Sequence, residues 1–219
     1  MKKFCRVLFY TSGMLILALG ITLNTKAGLG VSPIISVSYF VSTLSGLNFG
    51  DMTLLLYTVF VAGEFALRGR RSRLTDLLQL PLSLVFSRFL NLFTVWLPYD
   101  SAQHGFVLNL AVLAAAVVLT GIGICLTINM RLIPNPGDGI VQALAERMNW
   151  EQGFAKNVFD FGCVTFTVTL SLVTMGHVVG INIGTVIAML CVGRVVALVN
   201  GFFKEKMCAA AGLISAAKK

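Results

Sequence analysis

Six apolar runs, each long enough to cross a lipid bilayer, constrain this chain more than any other feature of its sequence. A hydrocarbon core of about 30 Å requires roughly 20 apolar residues of helix. The runs cover approximately residues 6–25, 51–67, 76–97, 106–128, 154–175 and 181–203. They predict an all-α polytopic membrane protein with six transmembrane helices, in which residues 1–219 form a single membrane domain.

Composition supports this class and excludes several others. The chain is 57% hydrophobic and only 12% charged, far from the mixture typical of a soluble domain. Its net charge of +8 does not indicate nucleic-acid binding, because the basic residues lie between the apolar runs. The five cysteines form no C-x-x-C pair, and no nucleophile, zinc-protease or phosphate-binding motif is present. We therefore expect the lipid bilayer as a partner, no metal or cofactor, and no enzymatic activity.

The basic residues predict the orientation of the chain. With six crossings and a cytoplasmic N-terminus, the outer face keeps only Lys26. The inner face then holds Lys2, Lys3, Arg6, the cluster "RGRRSR" at 68–73, Arg131, Arg147, Lys156, Lys204, Lys206, Lys218 and Lys219. This positive-inside bias predicts a multi-pass protein with both termini cytoplasmic, ending in a basic tail at 204–219.

Two further segments, 33–46 and 136–149, have helical character but are too short or too polar to cross. Each follows an irregular turn rich in glycine and proline, "GLGVSP" and "LIPNPGDG". Ser32 and Asn135 precede Pro33 and Pro136, and this order is typical of a helix start. Two interpretations stay open: re-entrant helices sunk into the membrane, or interfacial helices lying on its surface.

The two halves of the chain repeat each other. Pro33 and Pro136 are 136 − 33 = 103 residues apart, and the same offset aligns Gly20 with Gly123 and Gly50 with Gly153. Residues 6–97 therefore form a first repeat and residues 106–203 a second. Because each repeat has three spans, the second enters the membrane from the opposite side, as in many transporters.

A candidate binding site follows from charges placed inside the apolar runs. Arg88 and Arg194 lie near the middle of the last span of each repeat, 194 − 88 = 106 residues apart, so a three-residue insertion makes them equivalent. Buried charges in spans mark functional sites by default. With the two helix starts they predict an electropositive centre for an anionic small solute. Its residues are Arg88, Arg194, Ser32, Pro33, Asn135, Pro136, Gly137 and Asp138.

Three acidic residues leave alternatives open. Glu64 and Asp160 also lie in spans, where either can neutralise an arginine, pair with Arg68 or Lys156, or couple transport to protons or ions. Asp138 is either a ligand or a capping carboxylate in the first turn of a helix.

The segments "AGLGVSP" at 27–33 and "IPNPGDGI" at 133–140 resemble those of the YczE/YyaS/YitT family. The resemblance implies a multi-spanning protein of the bacterial plasma membrane. It supplies no catalytic or ligand residues.

Two functions fit the sequence. The first is a membrane transporter or channel for a small solute, with its site between the two repeats. The alternative is a non-transporting accessory or regulatory membrane protein, whose polar turns only shape the fold. A homo-oligomer is compatible with both.

Overall fold

The computed structural model describes residues 2–69 and 74–213, and within them the fold consists of helices and connecting turns. Short 3-10 turns at Leu74–Leu78 and Ser101–Gln103 lie on either side of the fourth helix. The eight α-helices of the described residues are α1 (Lys2–Lys26), α2 (Pro33–Ser45), α3 (Phe49–Arg68), α4 (Gln79–Trp96), α5 (Phe106–Asn129), α6 (Pro136–Met148), α7 (Gln152–Met175) and α8 (Ile183–Ala210).

Six of these helices are long and apolar enough to cross a membrane, and they coincide with the six predicted runs. The other two, α2 and α6, have 13 residues each and begin at the predicted prolines. Such helices span about 20 Å at 1.5 Å per residue, less than the hydrocarbon thickness. The chain is thus an all-helical, multi-pass membrane protein.

The helices α1 and α5 form the centre of the bundle and run antiparallel. Gly13 contacts Thr127, Leu17 contacts Gly123, and Gly20 contacts Thr120. Residue numbers therefore increase along α1 where they decrease along α5, as in an antiparallel pair. A Cβ atom at Gly20 would lie 2.6 Å from the amide nitrogen of Thr120, and one at Gly123 would lie 2.6 Å from that of Leu17. Glycine at both positions allows the backbones to approach closely, as small residues do in membrane helices.

The contacts at this crossing interchange under the 103-residue offset. Under this offset Leu17 corresponds to Thr120, and Gly20 corresponds to Gly123. The contact between Leu17 and Gly123 therefore corresponds to the contact between Thr120 and Gly20, and both contacts are present. The outer helices follow the same scheme, in which α1 to α4 correspond to α5 to α8. The contact of α1 with α4 corresponds to that of α5 with α8, and the contact of α2 with α7 corresponds to that of α6 with α3. These are the neighbours that an inverted repeat requires, although the repeat itself stays a prediction.

One pair of neighbours breaks this scheme. The third and fourth helices of the first half, α3 and α4, pack along each other, whereas α7 and α8 share no comparable interface in the described part of the chain. In keeping with this, α8 is the least buried of the six spanning helices. A cleft therefore separates α7 from α8.

Two predictions of basic segments fall partly outside the described residues. Residues 70–73 of the basic cluster at 68–73 lie outside the described residues. Residues 214–219 of the predicted basic tail also lie outside them. The predicted tail at 204–219 begins inside α8, which continues to Ala210 with Met207 and Cys208 buried. The last spanning helix is thus longer than its apolar run.

The α1–α5 crossing yields a stability prediction. Gly20→Ala and Gly123→Ala are each expected to destabilise the protein by roughly 1–3 kcal/mol, since the added methyl group must displace backbone. The midpoint of thermal unfolding in detergent measures this. Gly162→Ala is the matched control, because a Cβ at this helical glycine meets nothing within 4 Å. Equal melting temperatures for all three variants would contradict the crossing.

Candidate functional site

The irregular turn between α5 and α6 is held by polar side chains of α1. Arg131 adopts a positive φ of 48°, which ends the regular backbone. Arg6 donates from Nε to the Met130 carbonyl at 2.7 Å and from Nη2 to the Arg131 carbonyl at 2.6 Å, and the Tyr10 hydroxyl donates to the Ile133 carbonyl at 2.9 Å. Three carbonyl groups of the turn therefore accept hydrogen bonds from side chains of the protein.

The turn between α1 and α2 docks on the start of α8. Gly30 has φ +102°, and a Cβ there would lie 2.7 Å from the amide nitrogen of Asn182. Val31 donates its amide to the Gly180 carbonyl at 2.8 Å, and Gly184 donates to the Leu29 carbonyl at 2.6 Å. Both irregular turns therefore have protein partners for part of their backbone.

The starts of α2 and α6 meet. Gly137 in the first turn of α6 lies so close to Ile34 in the first turn of α2 that an added Cβ would stand 3.6 Å from two of its side-chain carbons. The two positions differ by 137 − 34 = 103. Since α1 and α5 are antiparallel, the chain reaches this point from opposite ends of the bundle.

The two starts are capped differently. The Asn135 side chain accepts the amide of Gly137 at 3.0 Å, which is the N-cap predicted for α6. Ser32 makes no side-chain cap, and α2 has no acidic residue in its first turn. The amides at the start of α2 are therefore less satisfied than those of α6.

The sides of both short helices also contact the opposite half. Ser36 and Thr167, both fully buried, share a hydrogen bond of 2.9 Å between their hydroxyls. Their counterparts under the 103-residue offset, Gly139 and Glu64, are also in contact.

A cavity of about 530 Å³ lies where the helix starts meet. It extends between α7 and α8 and reaches Gln152 and Gly153, at the predicted cytoplasmic end of α7. Six predicted site residues line it, namely Ser32, Pro33, Asn135, Gly137, Asp138 and Asp160. Pro136 instead lines a small neighbouring cavity of about 20 Å³, together with Asn135.

The two arginines are not among the residues that line this cavity, so the structure does not bring them together with the two helix starts. Arg88 has a 57% exposed side chain and places Nη1 3.0 Å from Oδ1 of Asp51. Arg194 is exposed and has no ion-pair partner among the described residues. On α8 the cavity is lined by its neighbours Val192, Gly193 and Val196, and Arg194 is not among the lining residues. Of the alternatives, a structural ion pair describes Arg88, but its partner is Asp51.

Glu64 belongs to a polar network away from the cavity. It is 1% exposed, pairs with Arg68, and accepts a hydrogen bond from Nε2 of Gln79 at 2.8 Å. Arg68 also contacts Asp76 at 3.4 Å and Glu146 at 3.1 Å. The predicted pairing of Glu64 with Arg68 is confirmed, and the network joins α3 to α4 and α6.

The charged side chains that do line the cavity are Asp138, Asp160 and Lys156. Nζ of Lys156 lies 3.5 Å from Oδ2 of Asp160, one helical turn away. Burial raises the pKa of the Asp138 carboxyl above its ordinary value, and the Lys156 ammonium opposes that shift. The pairing of Asp160 with Lys156, one of the alternatives that the sequence left open, is therefore present in the structure.

The fold defines a multi-pass helical membrane protein, and a central cavity lies within its bundle. The family described as "Family of unknown function (DUF6198)" matches residues 4–201, and the chain belongs to this family. The chain is also 25% identical over 188 residues to the uncharacterized membrane protein YczE of Bacillus subtilis (strain 168), covering 85% of this chain and 81% of that protein. This confirms the resemblance to YczE-like proteins. No solved structure matches the chain.

The two ion pairs are expected to differ in their effect on stability. Glu64→Ala leaves Arg68 and Gln79 without a buried partner and should cost about 3–5 kcal/mol of unfolding free energy. Asp51→Asn breaks the less buried pair with Arg88, whose side chain is 57% exposed, and should cost less than Glu64→Ala. Unfolding midpoints in detergent measure both variants. A larger loss for Asp51→Asn than for Glu64→Ala would contradict this assignment.

Proposed function

We propose that this protein is a transporter for a small solute, which binds in the central cavity while the two halves of the bundle open in alternation. The observation that carries the proposal is a cavity at the meeting point of two helix starts that extends between α7 and α8, whereas the corresponding helices α3 and α4 pack along each other. The predicted inverted repeat supports a mechanism in which the two halves exchange these conformations.

The size and lining of the cavity suit a small molecule. Its volume of about 530 Å³ falls within the roughly 300–1,000 Å³ typical of ligand sites. The walls are largely aliphatic, with a few polar groups at the helix starts and on α7. Such a site binds a solute by apolar contact and orients it through a small number of polar contacts.

In the first half of the chain, the interface between α3 and α4 is closely packed, and we call this interface the seam. On α3, Gly50 donates its amide to Oδ1 of Asn91 at 2.8 Å and lies directly against the Ser87 carbonyl of α4. The neighbouring Asp51–Arg88 ion pair covers the same seam. In this account Arg88 acts as part of a gate rather than as a ligand of the solute.

In the second half of the chain, α7 and α8 carry glycines at the positions that correspond to Gly50 and Ser87 of the seam. Gly153 corresponds to Gly50 by 153 − 50 = 103, and Gly193 corresponds to Ser87 by 193 − 87 = 106, the spacing that aligns the two arginines. Both glycines have open space where a Cβ would stand, and both line the cavity. Closing α7 on α8 along these glycines, while α3 parts from α4, would move the opening to the other side of the membrane.

Distances between spin labels test this exchange by double electron–electron resonance. One pair is placed on exposed positions of α7 and α8, Phe161 and Leu198, and another on α3 and α4, Leu55 and Leu92. We expect two distances for each pair in lipid nanodiscs. A condition that shortens the α7–α8 distance should lengthen the α3–α4 distance.

Labels at Leu15 on α1 and Leu110 on α5 provide the control, because these helices pack along their whole crossing and should keep one distance. Single, unchanging distances in all three pairs would contradict alternation. They would favour the accessory-protein interpretation.

A further inference from the structure

We infer that the solute is a small organic monocation, whose ammonium group binds Asp160 while its apolar body fills the cavity. This inference rests on the proposed function and deepens it by naming the class of substrate. It reverses the charge preference that the two midspan arginines suggest.

The charges around the cavity favour a cation. Asp138 and Asp160 contribute two carboxylates, and Lys156 contributes one ammonium, so the lining carries a formal charge of −1 among the described residues. Neither arginine of the predicted site adds to it. The ionisable side chains of the lining thus supply one more carboxylate than ammonium groups, and the ammonium of a monovalent cation can pair with a carboxylate that Lys156 does not neutralise.

Asp160 provides the specific anchor. The residue is 4% exposed and lines the cavity, and its Oδ2 atom faces Lys156 at 3.5 Å. Its Oδ1 atom is buried and has no hydrogen-bond partner in the described residues. A buried carboxylate oxygen without a donor is costly, and a charge-assisted hydrogen bond from an ammonium removes that cost.

The rest of the wall matches an apolar body. The cavity that Asp160 lines also has apolar walls, formed by Leu17 and Ile21 of α1, Ile35 of α2, Ile124 of α5 and Val196 of α8. Burial of a short alkyl chain against these side chains contributes about 0.8 kcal/mol for each methylene group. A bare inorganic cation would leave this surface unused.

The test is calorimetric titration of the full chain in nanodiscs with three probes that share one tail: n-butylammonium, butyrate and 1-butanol. Empty nanodiscs correct for partition into lipid. We expect n-butylammonium to bind most tightly of the three. Equal or tighter binding of butyrate, or no binding of n-butylammonium, overturns the inference.

Three variants separate a binding role of Asp160 from a structural one. Asp160→Asn keeps the shape of the side chain and should weaken n-butylammonium binding by about tenfold or more. Lys156→Met removes the competing ammonium and should tighten it, an effect that general damage to the fold cannot produce. Glu205→Gln changes an exposed carboxylate near the end of α8 and should leave binding unchanged. Failure of Lys156→Met to tighten binding also contradicts the inference.

The spin-label distances distinguish failure of this inference from failure of the proposed function. If the distances alternate and n-butylammonium does not bind, the proposed transport function stands and the cationic solute is rejected. Fixed distances together with n-butylammonium binding reject alternation and keep the cation site.

Discussion

A helix that begins within a membrane protein leaves its first amides without helical partners, and lipid supplies none. Here two such starts, at Pro33 and Pro136, are placed against each other through Ile34 and Gly137. The turns leading to them find partners on α1 and on the start of α8. Because both starts need a protein or water environment, their meeting point becomes the polar centre of the bundle, and the cavity forms there.

The α1–α5 crossing sets the position of these starts. Helices in a membrane gain no hydrophobic driving force from pairing, so close van der Waals contact must hold them together. Gly20 and Gly123 make that contact at backbone distance. With α1 and α5 fixed as an antiparallel pair, the segment after each helix can fold back toward the centre from opposite ends. The outer helices are attached less uniformly, and the gap between α7 and α8 shows where the structure has room to move.

Features that depend on length and local chemistry were predictable from the sequence. Six apolar runs became six spanning helices, and the Ser-Pro and Asn-Pro pairs marked the starts of α2 and α6. The rotation of each spanning helix was not predictable, because a helix that is apolar on every side carries little information about which face is inward. That is why Arg88 and Arg194 were expected at the centre and lie outside it. The sequence offered Lys156 as a partner of Asp160 but not as a residue of the cavity wall, since a lysine near the end of a span is usually an orienting charge.

One cavity reaches both helix starts from the predicted cytoplasmic side. Labelling of a single cysteine at Ser32 with a small membrane-impermeant thiol reagent, in a background where the five native cysteines are replaced, tests whether water reaches them by this route. Ser32 belongs to a turn that the chain enters from the predicted outer side, yet it lines the cavity with Gln152 and Gly153. We expect labelling in inside-out vesicles, where the reagent enters between α7 and α8. Labelling of the Ser32 position only in intact cells would rule out this cytoplasmic route and place α2 as a surface helix.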